Sequence, residues 1–325
     1  MTDAPLTGRE KALSLVIGLL ATAAVIELAF RVWMPAPGGF NNERDEYPSN
    51  PRGYFDELRV EDGKPVYGVP MVQHPTTGER VGDPVRPDAP PRILGLGDSQ
   101  GMGQGVRFED TAFERMAVLL DERGIDARVV NRAVRGYDIA EVVDRAEEEL
   151  SQAEYDLVIY WLVLDDFGLA MGARPEPAPS VSAAVRFFRH ARAQWAVSQA
   201  TTQAYLEAFT GASLAKGSDA LGRLHDAVQA NDADLVVAVM PLLYDFDAYP
   251  FGPIHAALRT VCDDRKLVCV DLLPTLRTND ASSLWVHPID HHPNEIAHAR
   301  IAAVLVDTVQ SGPRLKAENT PKNTE

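Results

Sequence analysis

From Arg92 onward the chain alternates short apolar runs with longer stretches whose apolar positions fall three and four residues apart. Arg92–Gly97 (RILGLG), Ala127–Asn131 (ARVVN), Asp156–Leu162 (DLVIYWL), Asp234–Pro241 (DLVVAVMP) and Leu267–Leu272 (LVCVDL) are of the first kind. Runs this short and this rich in β-branched residues predict strands buried on both faces. Asp110–Arg123 carries Phe113, Met116, Ala117 and Leu120 at helical spacing. Ile139–Ala153, Gly217–Ala230, Pro253–Arg265 and Asn294–Val309 likewise predict helices. Strand–helix alternation implies an α/β fold, a flavodoxin-like three-layer sandwich around a central parallel five-stranded sheet. Such sheets carry their sites beyond the carboxyl ends of the strands.

Three stretches depart from this rhythm. Ala12–Phe30 is continuously apolar with Glu27 as its only charge. As a helix it covers roughly 28 Å, close to a bilayer core of about 30 Å. Arg9 and Lys11 precede it and Arg31 and Trp33 follow, so it predicts a transmembrane helix with the short N-terminal end in the cytoplasm. A cleaved signal peptide ending near Ala21-Thr22-Ala23 is the competing reading, against which the apolar run continues to Phe30. Pro35–Pro91 is too dense in proline for long helices or central strands and predicts a spacer with a few short edge strands or loops. Between the third and fourth strands, a Pro/Ala loop (Gly168–Ser180) leads into an aromatic-rich helix or helix pair (Val181–Phe209), either a cap over the site or an elongated crossover. The expected organisation is a cytoplasmic tail over 1–11, an anchor over 12–33, a Pro-rich juxtamembrane segment over 34–91, a main domain over 92–310 with an insertion at 168–215, and a disordered tail over 311–325.

Composition narrows the function. The 325 residues are 46% apolar, enough to bury a core, and the formal net charge is −16. That balance argues against nucleic-acid binding, which uses a basic patch, and against attachment to anionic lipid by charge. The two cysteines, Cys262 and Cys269, form no disulfide framework or zinc ribbon. They fall late in a helix and in the next strand, a geometry that seldom brings α-carbons within about 7 Å, so free thiols are expected.

Two motifs carry chemistry. The first strand ends in Gly97-Asp98-Ser99-Gln100-Gly101, which exposes a serine hydroxyl at the sheet edge. Near the C-terminus WVHPIDHHPN spans 285–294, placing Asp290 and His292 two residues apart ahead of the last helix. Serine becomes a nucleophile when a base takes its proton and a carboxylate fixes that base's tautomer. His287, His291 and His292 with Asp290 could instead ligate zinc, but the serine turn would then have no role. His298, on the final helix, faces solvent or core.

GDSQ, the NRAVRGYD turn, YWLVLDDF and DHHPNEIAH, in that order, resemble the SGNH/GDSL hydrolase family over about Arg92 to Val309. The N-terminal anchor resembles that of a membrane-attached bacterial branch. The resemblance implies Ser99 as nucleophile, His292 as base and Asp290 as orienting carboxylate. It also implies an oxyanion hole from Ser99, Gly136 and the residue at 165, with no cofactor and no metal. Two departures stand out: the aspartate lies two residues before the histidine where many members have three, and Asp165 stands where the family has asparagine. An ionised carboxylate cannot donate a hydrogen bond. The expectation is a membrane-anchored serine esterase acting through an acyl-serine intermediate on an envelope ester, an O-acylated glycan or a lipid-like molecule. Alternatives are an envelope polysaccharide O-acyltransferase and a non-catalytic envelope protein on the same fold.

Overall fold

The computed structural model describes residues 7–33, 44–47, 57–61, 63–85, 87–88, 90–167, 182, 184–185, 202–288 and 290–311. The expected tail after 311, the Gly168–Ser180 loop and most of Val181–Phe209 lie outside them. The chain divides into two compact units, one of Met1–Pro37 with Met171–Thr201, the other of Gly38–Ala170 with Thr202–Glu325.

In the larger unit the five apolar runs form β6 (Pro91–Gly97), β7 (Arg128–Asn131), β8 (Leu157–Leu162), β9 (Asp234–Val239) and β10 (Val268–Asp271). They pair in parallel in the order β10-β9-β8-β6-β7. All six residues of β8 are buried, because successive side chains point to opposite faces and both faces are covered. Leu157, Ile159 and Trp161 pack with Phe113, Met116 and Leu120 of α3 (Ala112–Glu122) and Ile301 and Leu305 of α8 (Glu295–Ser311). Val158, Tyr160 and Leu162 pack with α4 (Ile139–Gln152), α5 (Gly211–Ala230) and α6 (Gly252–Arg265) on the other face. Each such side chain contributes about 1.5–3 kcal/mol on burial. Helix α5 begins six residues before the expected Gly217, which is interior: a β-carbon there would lie 2.2 Å from the Phe167 ring.

One expectation is met and one corrected: the Pro-rich segment carries the short strands expected of it, and the two cysteines are not free thiols. β1 (Arg44–Tyr47), β2 (Glu57–Glu61) and β3 (Lys64–Pro70) form an antiparallel sheet in the order β1-β3-β2, and β4 (Val72–Gln73) pairs with β5 (Arg80–Val81). Their brevity, two to seven residues, is what the prolines impose, while Tyr47, Val69 and Met71 are buried. Cys262 and Cys269 are joined in a disulfide with α-carbons 6.1 Å apart. Lys266 caps α6 in the left-handed conformation (φ 57°) and folds the chain back, so the first residues of β10 return beside the helix's last turn.

In the smaller unit, α1 (Gly8–Trp33) leaves Leu15, Leu20 and Val25 about two-thirds exposed at 66%, 66% and 68%. Glu27 accepts hydrogen bonds from Ser182 Oγ (2.7 Å) and the Ala184 amide (3.3 Å). Among the residues whose side chains are described, which in α1 exclude Glu10, Ala12, Leu13 and 30–33, no helix is long and apolar enough to cross a membrane.

Candidate active site

Strand β6 delivers Ser99 to the carboxyl edge of the sheet. Gly97 lies so close to β8 that a β-carbon would sit 3.0 Å from the Trp161 carbonyl oxygen. Asp98 then caps the four-residue helix α2 (Ser99–Met102), accepting from the Gln100 amide at 2.8 Å. Ser99 is its first residue and is partly exposed.

Its partners come from a short hairpin, β11 (Trp285–His287) against β12 (Asp290–Pro293). Asn294 locks this hairpin to the last helix. Its amide donates to the Ser283 and Trp285 carbonyls, and its oxygen accepts from the Ile296 and Ala297 amides at the start of α8. The hairpin puts His292 Nε2 at 2.8 Å from Ser99 Oγ and His292 Nδ1 at 2.5 Å from Asp290 Oδ1. The His292 amide also donates to Asp290 Oδ1, at 3.0 Å. Burial pushes the Asp290 carboxyl up, but the His292 hydrogen bond and charge, the His292 amide and the Tyr47 hydroxyl outweigh it and bring it down to about 2. Asp290 is thus ionised at neutral pH. The network then assigns the imidazole proton to Nδ1 and leaves Nε2 to accept from the serine.

Gly136 sits in the loop after β7, tied to the serine turn by the Val134 amide donating to the Gly97 carbonyl (3.0 Å) and Asn131 Nδ2 donating to Gly101 (3.1 Å). Its φ of +81° favours glycine, and among the described residues no atom beyond its chain neighbours lies within 4 Å of where a β-carbon would stand. Asp165 follows β8 in a turn. Its carboxylate oxygen and those of Asp98 and Asp166 lie within 4.8 Å of one another, close enough to hold an ion. Asp166 is committed to the Tyr160 hydroxyl (2.6 Å) and the Val163 amide (2.9 Å), whereas Asp165 Oδ1 is buried with no hydrogen-bond partner among the described residues. Burial raises the Asp165 carboxyl, against its own amide and the charge of His292. Burial and the Asp165 charge push Asp98 up to about 6, against His292 and the Gln100 and Gly101 amides. Asp166 rises well above the ordinary range by burial and the charges of Asp98 and Asp165.

The remaining histidines of the motif turn to separate neighbours. His287 is buried and stacks on Tyr47, with ring centroids 4.6 Å apart; His291 stacks on Trp285 at 3.8 Å. His298 is fully buried. Its Nδ1 accepts from the Ala112 amide (3.0 Å), and burial brings its pKa down to about 3. Sequence reasoning missed three residues at the site. The Tyr47 hydroxyl and Gln104 Nε2 both reach Asp290 Oδ2, at 3.2 and 3.4 Å, and Arg80 donates to the Gly103 and Val106 carbonyls at 2.6 Å each. No spacing signal marks Tyr47 or Arg80 in their Pro-rich surroundings.

An imidazole bridging a serine hydroxyl and an ionised carboxylate, at the carboxyl end of a parallel sheet, defines the class of serine hydrolases. The chain belongs to the GDSL-like lipase/acylhydrolase family, whose model matches residues 96–300, and it is a hydrolase of ester bonds. Comparison with curated protein sequences gave no match. Among solved structures it is similar to TesA (16% identity, 68% of this chain and 98% of that one, TM-score 0.47). It is also similar to a psychrotrophic esterase EstA from Pseudoalteromonas sp. (17%, 68% and 97%, 0.43). A third is the acetylxylan esterase Axe2 from Geobacillus stearothermophilus (14%, 68% and 94%, 0.45).

Proposed function

We propose that the protein is a membrane-anchored serine esterase of the cell envelope that works through an acyl-Ser99 intermediate. The observation that carries the reading is the unbroken line Ser99 Oγ–His292–Asp290, with contacts of 2.8 and 2.5 Å. His292 Nε2 takes the serine proton as Oγ attacks the ester carbonyl, and Asp290 stabilises the imidazolium. His292 then returns the proton to the departing alcohol and activates a water to release the acid. The amides of Ser99 and Gly136 are the backbone donors for the developing oxyanion; open space at the Gly136 α-carbon leaves room for the substrate. The chain's own residues supply every step, without cofactor or metal.

Exposed leucines and valines on α1 support membrane attachment, and Glu27 has the hydrogen-bonding partners that an acid in a bilayer requires. The disulfide suits an oxidising compartment outside the cytoplasm. The substrate in this reading is an O-acylated glycan or lipid-like ester near the membrane surface. A fluorophosphonate probe tests the chemistry, because it labels only an activated serine: the protein should be labelled and Ser99→Ala should not. An unlabelled wild type would sink the reading. Release of free acid, with none passed to an added glycan, separates hydrolysis from acyl transfer.

A further inference from the structure

The family match begins at residue 96, yet the triad is braced by residues that precede it. β1 and the β4–β5 hairpin reach the site at its two ends. At the carboxylate end, Tyr47 is fully buried, stacks on His287 and donates to Asp290 Oδ2 at 3.2 Å. His287 and Asp290 are cross-strand partners in the hairpin that carries His292. At the serine end, Arg80 is buried and donates to the carbonyls of Gly103 and Val106, just past α2. The segment is itself pinned to the main sheet: Glu79 bridges to Val134 and pairs with Arg132 (2.9 Å) and Arg145, both also bound to Glu149.

We propose that Tyr47 and Arg80 extend the catalytic centre ahead of the matched residues and that Tyr47 is a positioning residue, fixing the Asp290 carboxylate for His292. This rests on the esterase reading above. Asp290 Oδ1 is occupied by His292, so the orientation of the carboxylate plane depends on what holds Oδ2. Two donors do so, Tyr47 and the longer Gln104 contact at 3.4 Å. A hydroxyl on Oδ2 also draws negative charge away from Oδ1, and so tempers how strongly Asp290 favours the imidazolium form of His292. Ser99, Asp98, Asp165 and the buried His298 also act on His292, and these four lie outside β1 and the β4–β5 hairpin.

The test is Tyr47→Phe, which keeps the ring, its burial and its stack on His287. Its control is Tyr67→Phe, the cross-strand partner of Tyr47, packed against the same small cluster. The readouts are kcat and KM on a short-chain aryl ester, the fluorophosphonate labelling rate across the acid limb, and the melting temperature. Tyr47→Phe should lower kcat and the labelling rate about tenfold, the scale of one charge-assisted hydrogen bond. KM should hold, and the acid limb of the labelling profile should move to higher pH. Tyr67→Phe should leave rates and profile unchanged. Unaltered rates and profile in Tyr47→Phe overturn the proposal. So does a rate loss with an unmoved acid limb and a melting temperature lowered as in Tyr67→Phe, which would make Tyr47 structural only. Failure of the wild type to label would instead remove the esterase reading, and this proposal with it.

Discussion

Replacing Asp165 with asparagine is the sharpest probe of the site. The substitution preserves shape, adds an amide donor and deletes one of three carboxylates whose oxygens lie within 4.8 Å of one another. Two unit charges at that distance repel by about 3.5 kcal/mol at an effective dielectric near 20, so each ionised carboxylate opposes ionisation of the next. Asp165 Oδ1 has no hydrogen-bond partner among the described residues, and burial raises its carboxyl above the ordinary value. A protonated Asp165 can donate as the family's asparagine does; an ionised one repels the oxyanion. Losing one such donor costs on the order of 10²–10³ in rate. Initial rates on a short-chain aryl ester should therefore agree within a few-fold below the Asp165 titration. Above it the wild type should fall while Asp165→Asn does not, with a gap of up to about 100-fold. Superimposable rate–pH profiles would remove Asp165 from the chemistry, and a slower Asn variant at all pH values would show that the carboxylate serves another purpose there.

Other predictions concern stability and packing. Glu114 is buried, and burial pushes its carboxyl from 4.5 to about 7 against the Val85 amide and Arg80. The folded state therefore holds a proton that the unfolded chain releases, and stability falls as pH rises from about 4.5 to 7. The shift corresponds to about 3 kcal/mol at 1.36 kcal/mol per unit, so Glu114→Gln should raise the melting temperature at pH 8 and not at pH 4. Intact-mass measurement after alkylation should show Cys262 and Cys269 protected until reductant is added; closing so short a loop stabilises by about 2.5 kcal/mol, read as a lowered denaturation midpoint after reduction. A β-carbon on Gly105 would meet the Tyr47 hydroxyl and Val286 Cγ1 at 2.7 Å each, at a φ of +80°. Gly105→Ala should therefore lower both the labelling rate of Ser99 and the melting temperature.

The sheet was legible because its central strands are buried on both faces, so unbroken runs such as LVIYWL announce themselves, and the helices between them keep clear periodicity. Ser99, His292 and Asp290 could be named because each lies in a compact motif after a strand. What escaped notice depends on contacts between distant stretches. Tyr47 shows its partner only once β1 is folded against the hairpin. The hairpin itself is three and four residues long, too short to register as alternation. The disulfide turned on one left-handed lysine, Lys266, a conformation that lysine does not advertise. Gly217 reads as a helix start by propensity, but its role is set by the Phe167 ring lying against it.

The contacts proposed to activate Ser99 join residues far apart in the sequence. Ser99 meets His292 across 193 positions, and Tyr47 meets Asp290 across 243. A ribosome releases the serine long before the hairpin proposed to activate it. Until that hairpin has emerged and closed on the serine turn, the chain carries a hydroxyl without its proposed base. Contacts of such long range also form late and slowly in folding, so the appearance of labelling at Ser99 would time the completion of folding in the newly delivered protein.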